Sequence, residues 1–107
     1  MINKINEMYG SFSDSWISEI KNVNSNLELT ITCANHLNEY SYETIILRFL
    51  NVVSFKNKND DQIIVIKDAL LKRHNGNVIF DADPIDYFDY LEKNEDSKFV
   101  IKSKTIE

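Results

Sequence analysis

The sequence predicts a mainly β fold: a single-domain antiparallel β-sandwich or roll of about six to eight strands, with one short helix near residues 84–93. Apolar and polar residues alternate with period two in several runs, and asparagine-rich turns separate those runs. The length of 107 residues suits one hydrophobic core. We therefore expect residues 1–107 to form a single β-rich domain.

The first elements are a helical turn and a hairpin. Apolar residues recur at helical spacing before Gly10, which favours a short helix there. Trp16–Val23 has apolar residues on both faces, and a polar asparagine-serine turn separates it from Leu27–Cys33, in which every second residue is apolar. Alternate residues of a strand share one face, so the second run predicts a strand with one buried face, and the two runs together predict a hairpin. We place Trp16 in the core, with a position at the sheet margin beside Asp14 and Ser15 as the alternative.

The middle of the chain predicts a long strand with an irregularity. Tyr42–Leu50 is rich in β-branched and aromatic residues, and Val52–Lys56 continues the pattern after Asn51. A bulge or bend at Asn51 accounts for the interruption. The polar run Asn57–Asp61 predicts a loop.

The strongest turn signal lies between Ile63–Lys72 and Val78–Ala82. Asn75-Gly76 suits a type I′ turn, whose two central residues both need positive φ. The two runs therefore predict a second hairpin, although Asp68–Arg73 taken alone favours helix. Phe99–Ile106 alternates and is expected to close the sheet as its last strand, with lysines guarding that edge.

The stretch Asp81–Asp96, named the acidic segment below, carries most of the chain's charge. Its seven acids and one lysine give a net charge of −6, whereas the whole chain carries −5. Asp83 suits a helix N-cap and Pro84 the first helical position, with apolar residues following at helical spacing. These features predict the short helix near 84–93.

Acids interleaved with tyrosines in the acidic segment predict a protein-binding surface. Such a surface attracts basic partners and repels nucleic acid, and exposed tyrosines add contact area at a low entropic cost. The candidate partner-binding residues are Asp83, Asp86, Tyr87, Asp89 and Tyr90. The alternative is a solvated acidic surface that binds no partner and only keeps the domain in solution.

No motif predicts a metal, a cofactor or catalysis. Asp81, Asp83, Asp89 and Glu92 have the spacing of a calcium loop, but apolar Ile85 occupies a position that needs an oxygen ligand. Two histidines and Cys33 are too scattered for zinc, and Cys33 falls on an apolar strand face. We expect a protein that is not an enzyme; a small hydrolase that uses scattered carboxylates is the remaining catalytic alternative.

The bulk properties favour a cytoplasmic protein. A single cysteine fits a reducing compartment, and no run approaches the ~20 apolar residues of a membrane span. The N-terminus lacks the apolar run of a signal peptide. We therefore expect no membrane partner.

Two short motifs resemble those of a family of small bacterial all-β proteins that includes immunity proteins of polymorphic toxin systems. Phe12-Ser13-Asp14-Ser15-Trp16-Ile17 is similar to the N-terminal motif of the family, with Ser13 where histidine is usual. Phe49-Leu50-Asn51-Val52 is similar to the family's central motif, in which two residues separate a phenylalanine from a valine. The resemblance implies a two-sheet β fold and a stoichiometric inhibitor without catalytic residues. We therefore expect an inhibitor of a basic toxin; the alternative is a structural or accessory domain that forms a homodimer through exposed sheet edges.

Overall fold

Seven strands form one curled antiparallel sheet, and two further strands form a separate hairpin. The structure is a computed structural model that describes residues 1–87 and 90–107. In chain order the elements are α1 (Ile2–Tyr9), β1 (Ser15–Val23), β2 (Asn26–Asn35), β3 (Ser41–Asn57), β4 (Ile64–Ile66), β5 (Leu70–His74), β6 (Asn77–Asp81), β7 (Ile85–Tyr87), β8 (Tyr90–Glu92) and β9 (Phe99–Ile106). The predicted mainly β, antiparallel single domain is confirmed, as a roll.

The strand order explains why the sheet curls. The order is β4-β1-β2-β3-β9-β6-β5, so the two edge strands β4 and β5 are consecutive in the chain and joined only by residues 67–69. That connector is bonded to the link between α1 and β1. Asp14 donates its backbone N–H to the Lys67 carbonyl at 3.2 Å, and Ala69 donates to the Ser11 carbonyl at 2.6 Å. The two edges are thus drawn toward each other.

The predicted first hairpin is confirmed. β1 pairs antiparallel with β2, and Asn24 in the turn has a φ of 58°. Residues at alternate positions of β2 are buried in the core: Leu27, Leu29, Ile31 and Cys33. The predicted turn of helix before Gly10 is also confirmed, as α1.

β3 is long because it pairs with strands in both halves of the sheet. Its first half pairs with β2 and its second half with β9. The predicted irregularity is present: Asn51 has a φ of 54°, and the register with β9 shifts between Val52 and Ser54. This bend lets one strand turn the corner of the roll.

The run Ile63–Lys72, predicted as one strand, is divided into two. β4 pairs with β1, whereas β5 pairs with β6. Between them Ser11 donates its hydroxyl to the Asp68 carboxylate at 2.9 Å, which holds the connector in a bend. The predicted turn is confirmed, since Asn75 and Gly76 have φ values of 51° and 78°.

β9 lies in the interior of the sheet, so its prediction as the closing edge strand is wrong. It pairs with β3 on one side and with β6 on the other. Phe99, Ile101 and Ser103 are buried, and the lysines that alternate with them lie on the opposite face. Those lysines therefore cover a sheet face and guard no edge.

The predicted helix near 84–93 is also wrong, because the described part of this region forms β7 and β8. The Asp81 carboxylate accepts backbone N–H groups from both Asp83 and Asn94. A ten-residue helix would place its two ends ~15 Å apart, so they could not share one carboxylate. The chain must reverse between them, and a hairpin does so.

Aromatic rings fill the interior of the roll. The Phe80 ring contacts the rings of Phe12 and Phe49 at centroid distances of 5.7 Å each and that of Phe99 at 6.3 Å. These four side chains are at most 1% exposed. The helix α1 adds three buried side chains to the same core, namely Ile2, Ile5 and Tyr9.

Candidate protein-binding surface

The acidic segment is anchored at its base by a buried carboxylate. Asp81 is fully buried, and its two oxygens accept the N–H groups of Asp83 at 2.9 Å and Asn94 at 2.8 Å. The Asn94 side chain donates in turn to the Asp83 carbonyl and accepts the N–H of Asp96. Asp81 therefore acts as a structural residue that holds both ends of the segment together.

Above this base, β7 and β8 present two exposed tyrosines. Tyr87 and Tyr90 are cross-strand partners whose rings stack with centroids 4.8 Å apart at 22°. They are 42% and 57% exposed, and the neighbouring Ile85 is 39% exposed. Because β7 and β8 pair only with each other, the hairpin forms no part of the main sheet.

The structure brings together most of the predicted partner-binding residues. Asp83 and Asp86 are exposed in the same hairpin as Tyr87 and Tyr90. Asp89 lies outside the described residues. The four described members of the set thus lie in one short part of the structure, and nothing about their position identifies a partner.

The acidic segment keeps a negative potential around the tyrosines. Within residues 1–87 and 90–107, neither Asp83 nor Asp86 forms an ion pair. The negative charge of Glu92 is the largest cause that raises the pKa of Tyr87. One acid is neutralised: Lys93 donates to Glu95 at 3.0 Å, and this hydrogen bond and charge lower the pKa of Glu95.

A groove of about 440 Å³ separates the start of the acidic segment from the edge strand β4. Asp83 and Asp86 lie on one side, and Val65 lies on the other. Lys67 and Lys98 also line it. Sequence reasoning missed these two lysines, because the pairing of β6 with β9 places Lys98 there and the curling of the sheet places Lys67 there, and neither shows in a local pattern.

Trp16 lies on the outer face of the sheet, so its placement in the core is wrong. Its neighbour Ile17 takes the inward position, and alternation then directs Trp16 outward, where it is 37% exposed. Its ring stacks on Tyr42 with centroids 5.7 Å apart, and Val65 pairs with it across β4. Val65 is 78% exposed, which makes this a second apolar surface.

Cys33 lies in a buried cluster that holds it protonated. Burial is the main cause that raises its pKa to about 12, and the nearby Glu43 carboxylate adds to it. Tyr9 donates its hydroxyl to Glu43 at 2.9 Å, and burial followed by this hydrogen bond raises the pKa of Tyr9 to about 12. A fully buried thiol with so high a pKa is not a thiolate near neutral pH.

The two histidines lie on separate parts of the surface. The His36 ring lies 4.8 Å from Tyr40 and close to Gly10, and His74 ends β5. In the described part of the chain, no group of three or more His, Cys, Asp or Glu side chains is placed to hold a metal ion. The calcium-loop spacing noted above also includes Asp81, whose two oxygens already accept backbone donors.

Two further findings concern membrane-spanning helices and similarity to known proteins. No helix of the described residues has the length and apolar character needed to cross a bilayer. Comparisons with protein-family models, with curated proteins and with solved structures found no match to this chain.

Proposed function

We propose that this protein is a non-enzymatic binding protein that engages a basic protein through its acidic segment, and that it acts as an immunity-type inhibitor of a basic toxin. The observation that carries the proposal is the exposed Tyr87–Tyr90 stack beside the exposed carboxylates of Asp83 and Asp86, which form no ion pair with any residue that the structure describes. Aromatic side chains with a large exposed area and nearby charge are typical of the residues that dominate binding energy.

The anchored base favours tight binding. A segment that orders only on binding loses affinity, because immobilising each flexible side chain or loop has an entropic cost. Here the bonds from Asp83 and Asn94 to Asp81 already fix the hairpin. The tyrosines are also stacked before any partner arrives, so their two side chains need little further ordering.

Charge would set the association rate and the choice of partner. A negative surface steers a basic protein and speeds association, with a strong dependence on salt. A toxin that acts on nucleic acid needs a basic groove for its polyanionic substrate. Carboxylates placed in that groove would compete with the substrate, and Tyr87 and Tyr90 would supply the desolvated contacts.

Affinity capture with the tagged protein from its host's lysate, at low and at high salt, tests the charge. We expect a basic protein to be retained at low salt and lost at high salt. The variant Asp83→Lys/Asp86→Lys should lose it at both. The control Glu7→Lys/Glu39→Lys makes the same change in net charge on α1 and the β2–β3 loop, and should retain it. Equal retention by both variants would contradict the assigned surface.

Titration against the captured protein tests the tyrosines and the inhibitor role. Tyr87→Ala/Tyr90→Ala should weaken binding by at least about 2 kcal/mol, or roughly 30-fold, because such residues dominate interfaces. Tyr40→Ala, which removes another exposed tyrosine, should leave binding unchanged. The partner's activity should fall to zero at one equivalent of this protein. A captured protein whose activity is unaffected would exclude inhibition but not binding.

The alternative function, an accessory domain that associates with itself, is favoured by a different observation. The edge strand β4 leaves Val65 78% exposed beside the stacked Trp16 and Tyr42. This second function would be favoured if mutations in β4 abolished self-association and mutations in the acidic segment did not.

A further inference from the structure

The edge strand β4 and its flanks carry a pattern that is complementary to itself. Asp61, Ile63, Val65 and Lys67 occupy alternate positions and are all exposed; of the residues between them, Ile64 and Ile66 are buried and Gln62 is exposed. Only Ile64–Ile66 is strand, and once strand geometry extends to Asp61 and Lys67 the order along the outward side is acid, apolar, apolar, base. In an antiparallel pair of identical strands, such an order places each residue opposite its complement.

The backbone of β4 is available for an added strand. Asp14 donates its N–H to the Lys67 carbonyl, so this residue pair continues the register of the β1–β4 ladder by one position as a hydrogen-bonded pair. Bonded pairs alternate in an antiparallel ladder, so Val65 bonds to β1 while Ile64 and Ile66 direct their N–H and C=O groups away from it. Among the described strands, none pairs with β4 on that side.

We propose that two copies of this chain pair antiparallel through β4, about a twofold axis at Ile64. In this register Ile63 lies opposite Val65 of the second copy, and Asp61 lies opposite Lys67 of the second copy. The neighbouring registers that the free backbone groups allow have their axis at Val65 or at Ile66. They place Lys67 opposite Ile63 or opposite Val65 and leave Asp61 without a base, so charge selects the register at Ile64.

The geometry also indicates how strong the association is. Asp61–Ile63 bend away from the strand direction in the single chain, so pairing lengthens β4 by straightening them. The paired segment is short and buries less than the ~1,200–2,000 Å² of a standard interface. We therefore expect a dimer that dissociates on dilution. The register is set by residues of β4 and its flanks, although the second copy would lie close to Asp83 and Asp86 across the groove beside β4.

Charge reversal and sedimentation equilibrium over a range of protein concentrations test the pairing. Lys67→Asp and Asp61→Lys should each weaken self-association by about tenfold or more, because the twofold axis turns two attractive pairs into repulsive ones. Mixing these two variants should restore dimers, as should combining both changes in one chain. Lys104→Asp in β9, which alters net charge equally, should dimerise like the wild type.

Cysteine cross-linking tests the register. Oxidising a mixture of Ile63→Cys and Val65→Cys proteins should give the mixed disulfide, since a directly opposed pair has its Cβ atoms within disulfide range. Val65→Cys alone should cross-link to itself poorly. A wild type that stays monomeric at the highest workable concentration would overturn the proposal, as would Lys67→Asp dimerising as tightly as the wild type. Efficient self-linking of Val65→Cys would overturn the register.

Discussion

Replacing Asp81 should release the acidic segment and destabilise the domain. Asp81→Ala removes the acceptor of two buried hydrogen bonds, from the N–H groups of Asp83 and Asn94. Each donor left without a partner costs about 1–3 kcal/mol, and relief from burying the carboxylate offsets part of this. We expect a loss of about 2–4 kcal/mol in the free energy of unfolding.

The variant Asp81→Asn separates the two bonds. Its amide keeps one acceptor oxygen, but its NH₂ group must face the other backbone N–H, and two donors cannot bond. We expect a loss of about 1–2 kcal/mol, between the wild type and Asp81→Ala. Asp83→Ala and Asp96→Ala remove exposed carboxylates nearby and should each change the free energy of unfolding by less than about 0.5 kcal/mol.

Urea denaturation followed by circular dichroism measures the global effect, and hydrogen exchange measures the local one. In Asp81→Ala the amides of Asp83 and Asn94 should lose protection before those of the main sheet. The reasoning would be refuted by an Asp81→Ala domain that unfolds at the urea midpoint of the wild type, with both amides still protected.

The remaining predictions concern α1 and its contacts. Gly10→Ala should cost about 2–3 kcal/mol, because a Cβ would overlap the His36 ring at a φ of 56°, whereas Gly76→Ala at a φ of 78° has open space and should cost about 1 kcal/mol. Urea midpoints compare the two, and His36→Ala should recover part of the first loss. Alkali should also destabilise the domain. The pKa values of Tyr9 and Cys33 are raised to about 12 from 10.0 and 9.0, so the folded state holds these protons more tightly than the unfolded state. Their stabilisation is complete below about pH 9 and is lost as the pH rises toward 12. Urea midpoints from pH 8 to 11 should therefore fall, and they should fall less in Tyr9→Phe; a flat profile would contradict the burial of these groups.

Local patterns in the sequence predicted the strands and turns that depend on neighbouring residues alone. Alternation located β2 with its buried face, and Asn75-Gly76 specified the turn between β5 and β6. Alternation does not specify which strands become neighbours. It therefore identified β9 as a strand and yet misplaced it at an edge.

The acidic segment shows how a distant contact overrides a local signal. The Asp83-Pro84 pair favours a helix start, but the hydrogen bond from Asn94 to Asp81 joins residues 13 positions apart and demands a chain reversal. The candidate binding residues were predicted as a group because they are contiguous in sequence. Lys67 and Lys98 of the groove have no such signal, since the curled sheet places Lys67 there and the pairing of β6 with β9 places Lys98 there.

The interior position of β9 has a consequence for how the chain folds. The strands β1, β2 and β3 form neighbouring hairpins, and β5 and β6 form another, so both groups can assemble from contacts that are close in sequence. Among the described strands, β9 alone pairs with both groups, and its pairing with β3 closes a loop from residue 57 to residue 99. Closing so long a loop has a high entropic cost, which slows folding. Sheets with such non-local strand pairing fold in about milliseconds to seconds. The docking of β9 should therefore limit the folding rate, and substitutions there should slow folding more than those in the β5–β6 turn.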